Sequence, residues 1–223
     1  MKITGVIFDF NGTLVYDSKL HVIAWRKFSS EIAKQELTIE QMQNQVFGVH
    51  NAVAIKNLFK MKLTNTQIEN YSKDKEAYYR QIALEQPSYQ LVDGAYDVFQ
   101  YLKDKNYPFT IASASIKENI DFFVEHFKLD EWINPQHIVY DNGTYPNKVQ
   151  MFKDAADLLE VAIEDTLIFE DSLSGVNDAI KAGCKQIIVI HEESYRAYFQ
   201  TLPEVIYHAQ HFHDVLAFLK QYL

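Results

Sequence analysis

Cysteine is nearly absent from this chain. Cys184 stands alone among 223 residues, so no intrachain disulfide can form, and a reducing cytosol suits it. Cys184 follows Gly183 at an expected helix end and reads as a plain packed or half-exposed thiol. Glycine and proline are sparse, at 7 and 5 residues, which excludes a collagen-like or low-complexity chain. Positive charge is short. Twenty-one Lys and Arg stand against 30 Asp and Glu, for a formal net charge of −9. That balance argues against a nonspecific binder of nucleic acid or of anionic membranes, which needs basic surface. Long apolar runs are missing too, and none approaches the roughly 18 uncharged residues of a membrane span. Met1-Lys2-Ile3-Thr4 leads to the charged Asp9 after a very short apolar run. The expectation is therefore no signal peptide and a cytoplasmic protein. In that setting the Asn-Gly-Thr sequons at Asn11 and Asn142 carry no meaning for glycosylation.

What is present is enough apolar residue, 48%, to fold one large domain or two modest ones. The most informative stretch is Val6-Ile7-Phe8-Asp9-Phe10-Asn11-Gly12-Thr13-Leu14. A short apolar run ends on an aspartate and drops into a glycine turn, as a buried strand does. Ligands of open α/β sheets sit just beyond the carboxyl ends of such strands. Asp9 is thus placed as a catalytic carboxylate would be.

A helical block follows, about 17–84. Thr38 with Gln41 and Thr66 with Glu69 match the capping box, with Thr64 and Asn65 as competing caps. The run Lys73-Asp74-Lys75-Glu76 reads as a solvated helix face. Trp25, Tyr78 and Tyr79 read as core at helical spacing, or else as pocket lining. Pro87 and Ser88 mark the exit. Beyond them helices and strands alternate. Asp93-Gly94 opens a helix with Ala95, Val98, Phe99 and Leu102 on one face. Residues 109–112 form a strand ending at Ser113. Ser115 with Glu118 is another capping box, for a helix striped by Ile116, Ile120, Phe123, Val124 and Phe127. Residues 148–159 are helical, and 166–169 form a strand ending on Glu170-Asp171. Ser172 caps the next helix and Gly183 closes it. Gln186–Ile190 is a strand, 205–207 an edge strand and Phe212–Tyr222 a final amphipathic helix. This order predicts an α/β fold with a doubly wound, mostly parallel sheet. The core would comprise residues 1–15 and 88–223, with 16–87 as an inserted α-helical cap domain.

Strand ends of one polarity share one sheet edge, so Asp9, Asn11, Ser113, Lys148, Glu170 and Asp171 converge. Asp9-Phe10-Asn11-Gly12-Thr13, Ser113 in Ala112-Ser113-Ala114-Ser115, and Phe169-Glu170-Asp171-Ser172-Leu173-Ser174-Gly175 resemble the motifs of the haloacid dehalogenase superfamily. The insertion point, Asp17, His21 and Ala24-Trp25 resemble its helical-cap subfamily, which includes β-phosphoglucomutase.

The resemblance implies Asp9 as a nucleophile that forms an aspartyl-phosphate. It implies Mg²⁺ held by Asp9, the backbone carbonyl of Asn11, Glu170 and Asp171. Ser113 and the Ala114 backbone N–H would donate to phosphate at a helix N-terminus. Thr13, His21, Asn51 and Lys75 complete the expected substrate contacts. Lys148 would neutralise nucleophile and phosphate. The family usually sets its lysine immediately before a proline, where this chain has Pro146, and Lys148 is the nearest cation on that loop. His208, His211 and His213 read as surface histidines. The expected partner is a small phosphorylated substrate, with no nucleic acid and no membrane, for a monomer or weak dimer.

Asn11 departs from the family's phosphatases, which carry a second aspartate there to protonate the leaving alkoxide and activate water. An amide exchanges no proton at neutral pH. General acid–base catalysis is worth about 10² to 10⁴ in rate, or about 3 to 5.5 kcal/mol. The expectation is a slowed, selective phosphatase that handles aryl phosphates, acyl phosphates and phosphoanhydrides best. His21 is a candidate replacement acid. Asn11-Gly12 is also a deamidation-prone pair, and slow conversion would restore an acid. A phosphomutase, a dehalogenase and a catalytically weakened phosphate-binding regulator are the alternatives. The loop Phe47-Gly48-Val49-His50-Asn51 carries a neutral amide where, by resemblance, the mutase has an arginine for a second phosphate.

Overall fold

The computed structural model describes residues 2–46, 51–59 and 61–223. Two compact units divide the chain: Met1–Tyr16 with Gln90–Leu223, and Asp17–Tyr89. Strand β1 (Gly5–Phe8) opens the first unit. The second contains α1 (Ser18–Glu31), α2 (Ile39–Gln45), α3 (Asn51–Leu58) and α4 (Asn65–Leu84). The first unit resumes with α5 (Ala95–Asp104), β2 (Phe109–Ile116), α6 (Lys117–Phe127) and β3 (Val139–Asp141). It continues with α7 (Lys148–Leu158), β4 (Thr166–Glu170), α8 (Leu173–Ala182), β5 (Gln186–Ile190), α9 (Arg196–Phe199), β6 (Val205–Ala209) and α10 (Phe212–Tyr222).

Among the described residues six strands run in the order β3-β2-β1-β4-β5-β6, and every pairing between them is parallel. A parallel sheet needs cover on both faces, so its central strands are apolar throughout. Strands β1, β4 and β5 are buried at every residue. Register sorts the side chains into two layers. Ile7 pairs with Ile168 and Phe8 with Phe169. The isoleucine row meets Phe152, Ala155, Val176 and Ala179 of α7 and α8. On the other face Phe8 stacks on Phe169 at 4.6 Å and meets Phe99 and Phe212 of α5 and α10 edge-on or stacked. Each fully buried ring of this kind contributes about 1.5–3 kcal/mol. The strand order reverses direction between β1 and β4, so the crevice beyond those two ends is where an open sheet binds its ligand.

Several local expectations need correction. Strand β2 does not stop at Ser113; it runs to Ile116, paired with β3 through an irregular register. Helix α6 therefore starts at Lys117, with no side-chain cap, and Ser115 and Glu118 form no capping box. Parallel pairing with the three-residue β3 outcompetes the local cap. The box before α4 is Thr64 with Gln67, one of the competing caps, while Thr38 with Gln41 caps α2. Ser172 and Gly183 cap α8 at its two ends, Gly183 at φ 111°.

The inserted unit packs Trp25, Phe28, Leu37, Met42, Val46, Ala54, Ile55 and Leu58 together. Residues 73–76 are a solvated face only in part: Lys73 and Asp74 are exposed, but Lys75 and Glu76 are buried, at 1% and 4% exposure. Each satisfies the other, with Lys75 Nζ 2.7 Å from Glu76 Oε1. No described helix is long and apolar enough to cross a membrane.

Candidate active site

The crevice beyond β1 and β4 collects the charged groups. Asp9 is the first residue past β1, and its N–H donates to Phe169 O of β4 at 2.9 Å. Glu170 is the last residue of β4 and Asp171 follows it. The loop after Asp9 is a tight turn: Phe10 O accepts from Leu14 N at 2.8 Å, and Gly12 N donates to Val15 O at 2.8 Å. Phe10 anchors it by stacking on Phe123 at 4.2 Å. Gly12 sits at φ +85°, and a Cβ there would overlap the Asp171 carboxylate. Gly175 plays the same part under Glu170, whose carboxylate fills the space a Cβ would take. Glycine is thus required twice to let carboxylates approach the backbone.

Lys148, the first residue of α7, joins two of these acids. Its ammonium bonds Asp9 Oδ1 and lies 2.5 Å from Glu170 Oε1. Its backbone N–H is held by Asp178 Oδ2 at 3.1 Å. Glu170 Oε2 accepts from Asp171 N, Ser172 N and Ser172 Oγ at 2.9, 2.9 and 3.0 Å. The start of α8 favours that negative charge. Thr13 Oγ1 donates to Asp9 Oδ2 at 3.4 Å. A family-style lysine was legible here only as the nearest cation, and the structure does bring Lys148 to Asp9.

Electrostatic crowding follows. Burial, helped by Glu170 and opposed by Lys148, raises Asp9 to about 6. Burial, then Glu170 and Asp9, push Asp171 up to about 9, against Lys148. Lys148 itself is raised: burial opposes its charge, but Asp9 and Glu170 overcome it. Single carboxylate oxygens of Asp9, Glu170 and Asp171 lie within 4.8 Å of one another. Lys148 offsets one of the three charges, so a divalent cation would balance the rest. An all-oxygen donor set of this kind fits Mg²⁺.

Ser115 caps no helix. Its hydroxyl and that of Ser113, the expected phosphate donor, both reach Asn11 Oδ1, Ser115 at 2.7 Å and Ser113 at 3.5 Å. Ser115 is the site residue that sequence reasoning missed; the signal was a serine two places beyond Ser113 on a strand of unrecognised length. Ala114 is exposed within β2, so its N–H does not belong to a helix N-terminus.

The remaining candidates lie in the inserted unit. Lys75 Nζ is 2.8 Å from His21 Nδ1 and 5.1 Å from the Trp25 ring centre. Asn51 Nδ2 donates to Glu76 Oε1 at 2.7 Å. Asp17 accepts from Tyr79 and lies 3.5 Å from His21 Nε2. Burial raises the Glu76 carboxyl, but Lys75 and then His21 outweigh it and hold it near 2. Residues 47–50, which precede Asn51 in the cap loop, fall outside the described residues.

His208 is not a surface histidine. It belongs to β6 and its side chain is 7% exposed, though His211 and His213 are exposed. Among the described residues only Asp9, Glu170 and Asp171 form a metal-capable group. Burial raises the Cys184 thiol to about 11, so it is a packed, inert thiol.

Comparison with known proteins agrees with this arrangement. Residues 6–189 match the sequence model of the haloacid dehalogenase-like hydrolases. A phosphorylated carbohydrates phosphatase of Thermotoga maritima is 22% identical over 194 residues, which cover 84% of this chain and 85% of that protein. A haloacid dehalogenase hydrolase of family IA, variant 3, from Entamoeba histolytica superposes with a TM-score of 0.86 at 28% identity, over 95% of both chains. A β-phosphoglucomutase from Clostridium difficile gives 0.76 at 17% identity, over 98% of this chain and 96% of that one. That last likeness is one of fold.

Proposed function

The chain belongs to the haloacid dehalogenase-like hydrolase family, and from that premise we propose that it is a Mg²⁺-dependent phosphatase of a small phosphorylated metabolite. The observation that carries this reading is Asp9, buried at the switch point with Lys148 on one oxygen and Asp171 and Glu170 beside it. Its carboxylate attacks the substrate phosphorus. An Asp9–O–P bond forms as the bond to the leaving oxygen breaks. Water then cleaves the aspartyl-phosphate, and Asp9 returns with inorganic phosphate released.

Lys148 holds Asp9 in place and adds positive charge where the equatorial oxygens gain negative charge. Asp9, Asp171, Glu170 and the backbone carbonyl of Asn11 would hold Mg²⁺, which supplies further charge neutralisation for the phosphoryl group. Asn11 stands where the leaving oxygen needs a proton, and its amide can donate a hydrogen bond but no proton. Leaving groups that depart as stable anions are therefore favoured.

Phosphatase is preferred over phosphomutase because Lys75 and Asn51 are both committed to Glu76, which leaves them poorly suited to grip a second phosphate. The phosphorylated-carbohydrate activity named for the Thermotoga maritima relative supports a phosphorylated small molecule as substrate. We read the inserted helical unit as the cap domain of this subfamily, and the lone buried Cys184 as fitting a cytoplasmic setting.

The test is hydrolysis of an aryl phosphate with and without Mg²⁺, beside Asp9→Asn. The reading requires turnover that vanishes with chelator and with the variant. Unchanged turnover in either arm refutes it.

A further inference from the structure

We propose that the Asn11–Gly12 step is a self-modification site, at which the folded protein converts Asn11 to ordinary aspartate under the direction of the Ser113 and Ser115 hydroxyls. Its benefit to catalysis rests on the phosphatase reading above; its chemistry does not.

The reaction needs only water. The Gly12 backbone nitrogen attacks Asn11 Cγ. The N–Cγ bond forms, the Cγ–Nδ2 bond breaks, and ammonia leaves carrying the proton lost from Gly12. Water then opens the five-membered imide. Attack at Cγ breaks the new bond and yields aspartate; attack at the Asn11 main-chain carbonyl yields isoaspartate. The net change is amide plus water to carboxylic acid plus ammonia.

Three features of the fold favour this course. Position 12 admits only glycine, because its φ is +85° and Asp171 occupies the Cβ space. The attacking nitrogen is therefore as unhindered as a backbone nitrogen can be. Asn11 and Gly12 are both partly exposed, so water reaches them. Most important, Ser115 Oγ donates to Asn11 Oδ1 at 2.7 Å, with Ser113 Oγ at 3.5 Å. That oxygen gains charge when Cγ is attacked, both on closing the ring and on opening it at Cγ. Donors aimed at it act as an oxyanion hole and select aspartate over isoaspartate. The Gly12 N–H bond to Val15 O lies in the peptide plane, whereas attack uses electrons perpendicular to it. The bond slows the step without blocking it.

The experiment incubates the folded, metal-free protein in mildly alkaline buffer. Intact mass, peptide mapping and an isoaspartate-specific methyltransferase follow the product. The expected result is a gain of about 1 Da at Asn11, mostly as aspartate. Ser115→Ala slows the gain and turns the product toward isoaspartate, as does unfolding in urea, while Ser115→Thr keeps the wild-type ratio. Hydrolysis of an alkyl phosphate rises in step, about 100-fold at completion, and Asn11→Gln stays flat. No mass gain in the folded protein overturns the proposal, as does a majority of isoaspartate or a Ser115→Ala variant identical in rate and ratio. A clean conversion to aspartate with no gain in activity, and an equally inactive Asn11→Asp variant, upholds the self-modification and refutes the phosphatase reading instead.

Discussion

Removal of divalent cation should make the stability of this protein fall steeply as pH rises, and Asp171 sets the size of the effect. Its carboxyl has an ordinary value of 3.8 and is pushed up to about 9 in the fold, by burial first and then by Glu170 and Asp9. Between those two values the folded state holds a proton that the unfolded chain has released. Stability then decreases with pH, at up to about 1.4 kcal/mol per unit for one proton. Asp9, raised to about 6, adds to the slope mainly below that pH. From pH 6 to pH 8 the loss from Asp171 is at most about 2.7 kcal/mol, beside a fall of the same sign from the exposed His213, whose pKa Asp93 raises. For a chain of this length each kcal/mol shifts the melting temperature by roughly 2–4 °C, so the midpoint should drop by roughly 5–11 °C. The assay is thermal unfolding in chelator at stepped pH, repeated with Mg²⁺ and with Asp171→Asn. Saturating Mg²⁺ should abolish the slope, because binding to the ionised site stabilises the fold more as protons leave. The variant should remove most of it without metal, leaving only the share of His213. His208, whose pKa is lowered by burial and then by Arg196, gives a slope of the opposite sign and cannot imitate the effect. A midpoint flat in pH without metal, or a fall undiminished in Asp171→Asn, refutes the reasoning.

Other outcomes follow from the same geometry. Lys148→Met strands Asp9 and Glu170 without their shared cation; it should cost about 3–5 kcal/mol without metal, recover partly with Mg²⁺ in a melting assay, and reduce aryl phosphate turnover at least about 100-fold. Gly175→Ala drives a methyl into the Glu170 carboxylate and should cost about 1–3 kcal/mol or more by denaturant titration, although alanine is otherwise the better helix former. In the inserted unit, Lys75→Met should destabilise by about 3–5 kcal/mol by leaving Glu76 buried without its ammonium partner, whereas Lys75→Met with Glu76→Leu should regain most of that loss in a double-mutant cycle. Asn11→Asp should raise alkyl phosphate turnover by about 10² to 10⁴ and change aryl phosphate turnover far less; equal gains on both would show that the amide is not limiting proton transfer.

The sheet was legible because its strands are unbroken apolar runs that end on charge. Val6 to Phe8 ends on Asp9, and Leu167 to Phe169 ends on Glu170 and Asp171, so the carboxylates announced themselves by position. What escaped were features that depend on distant partners. Ser115 with Glu118 satisfies a helix-start pattern, yet it lies in a strand because β3, only three residues long, pairs alongside. Local pattern carries no trace of that partner, so Ser115 reads as a cap and nothing nearby in sequence points to its hydroxyl bond with Asn11. Lys75 and Glu76 sit in a run of four charges, which on average means solvent. They are buried because adjacent opposite charges satisfy each other, with His21 and Asn51 from elsewhere in the insertion completing the network. His208 was assigned to the surface by its neighbours, His211 and His213, although it occupies a strand. Lys148 is the nearest cation on its loop by sequence, and only the fold sets its ammonium between Asp9 and Glu170.

The covalent role of Asp9 is the centre of this account, and an acid-quench experiment addresses it most directly. The protein is mixed with Mg²⁺ and an excess of aryl phosphate, quenched in acid during turnover, and mapped by mass spectrometry. The expected result is a phosphoryl group on the peptide that contains Asp9, absent without Mg²⁺ and absent in Asp9→Asn. Steady turnover with no phosphoryl group on that peptide, or turnover that persists in Asp9→Asn, contradicts it.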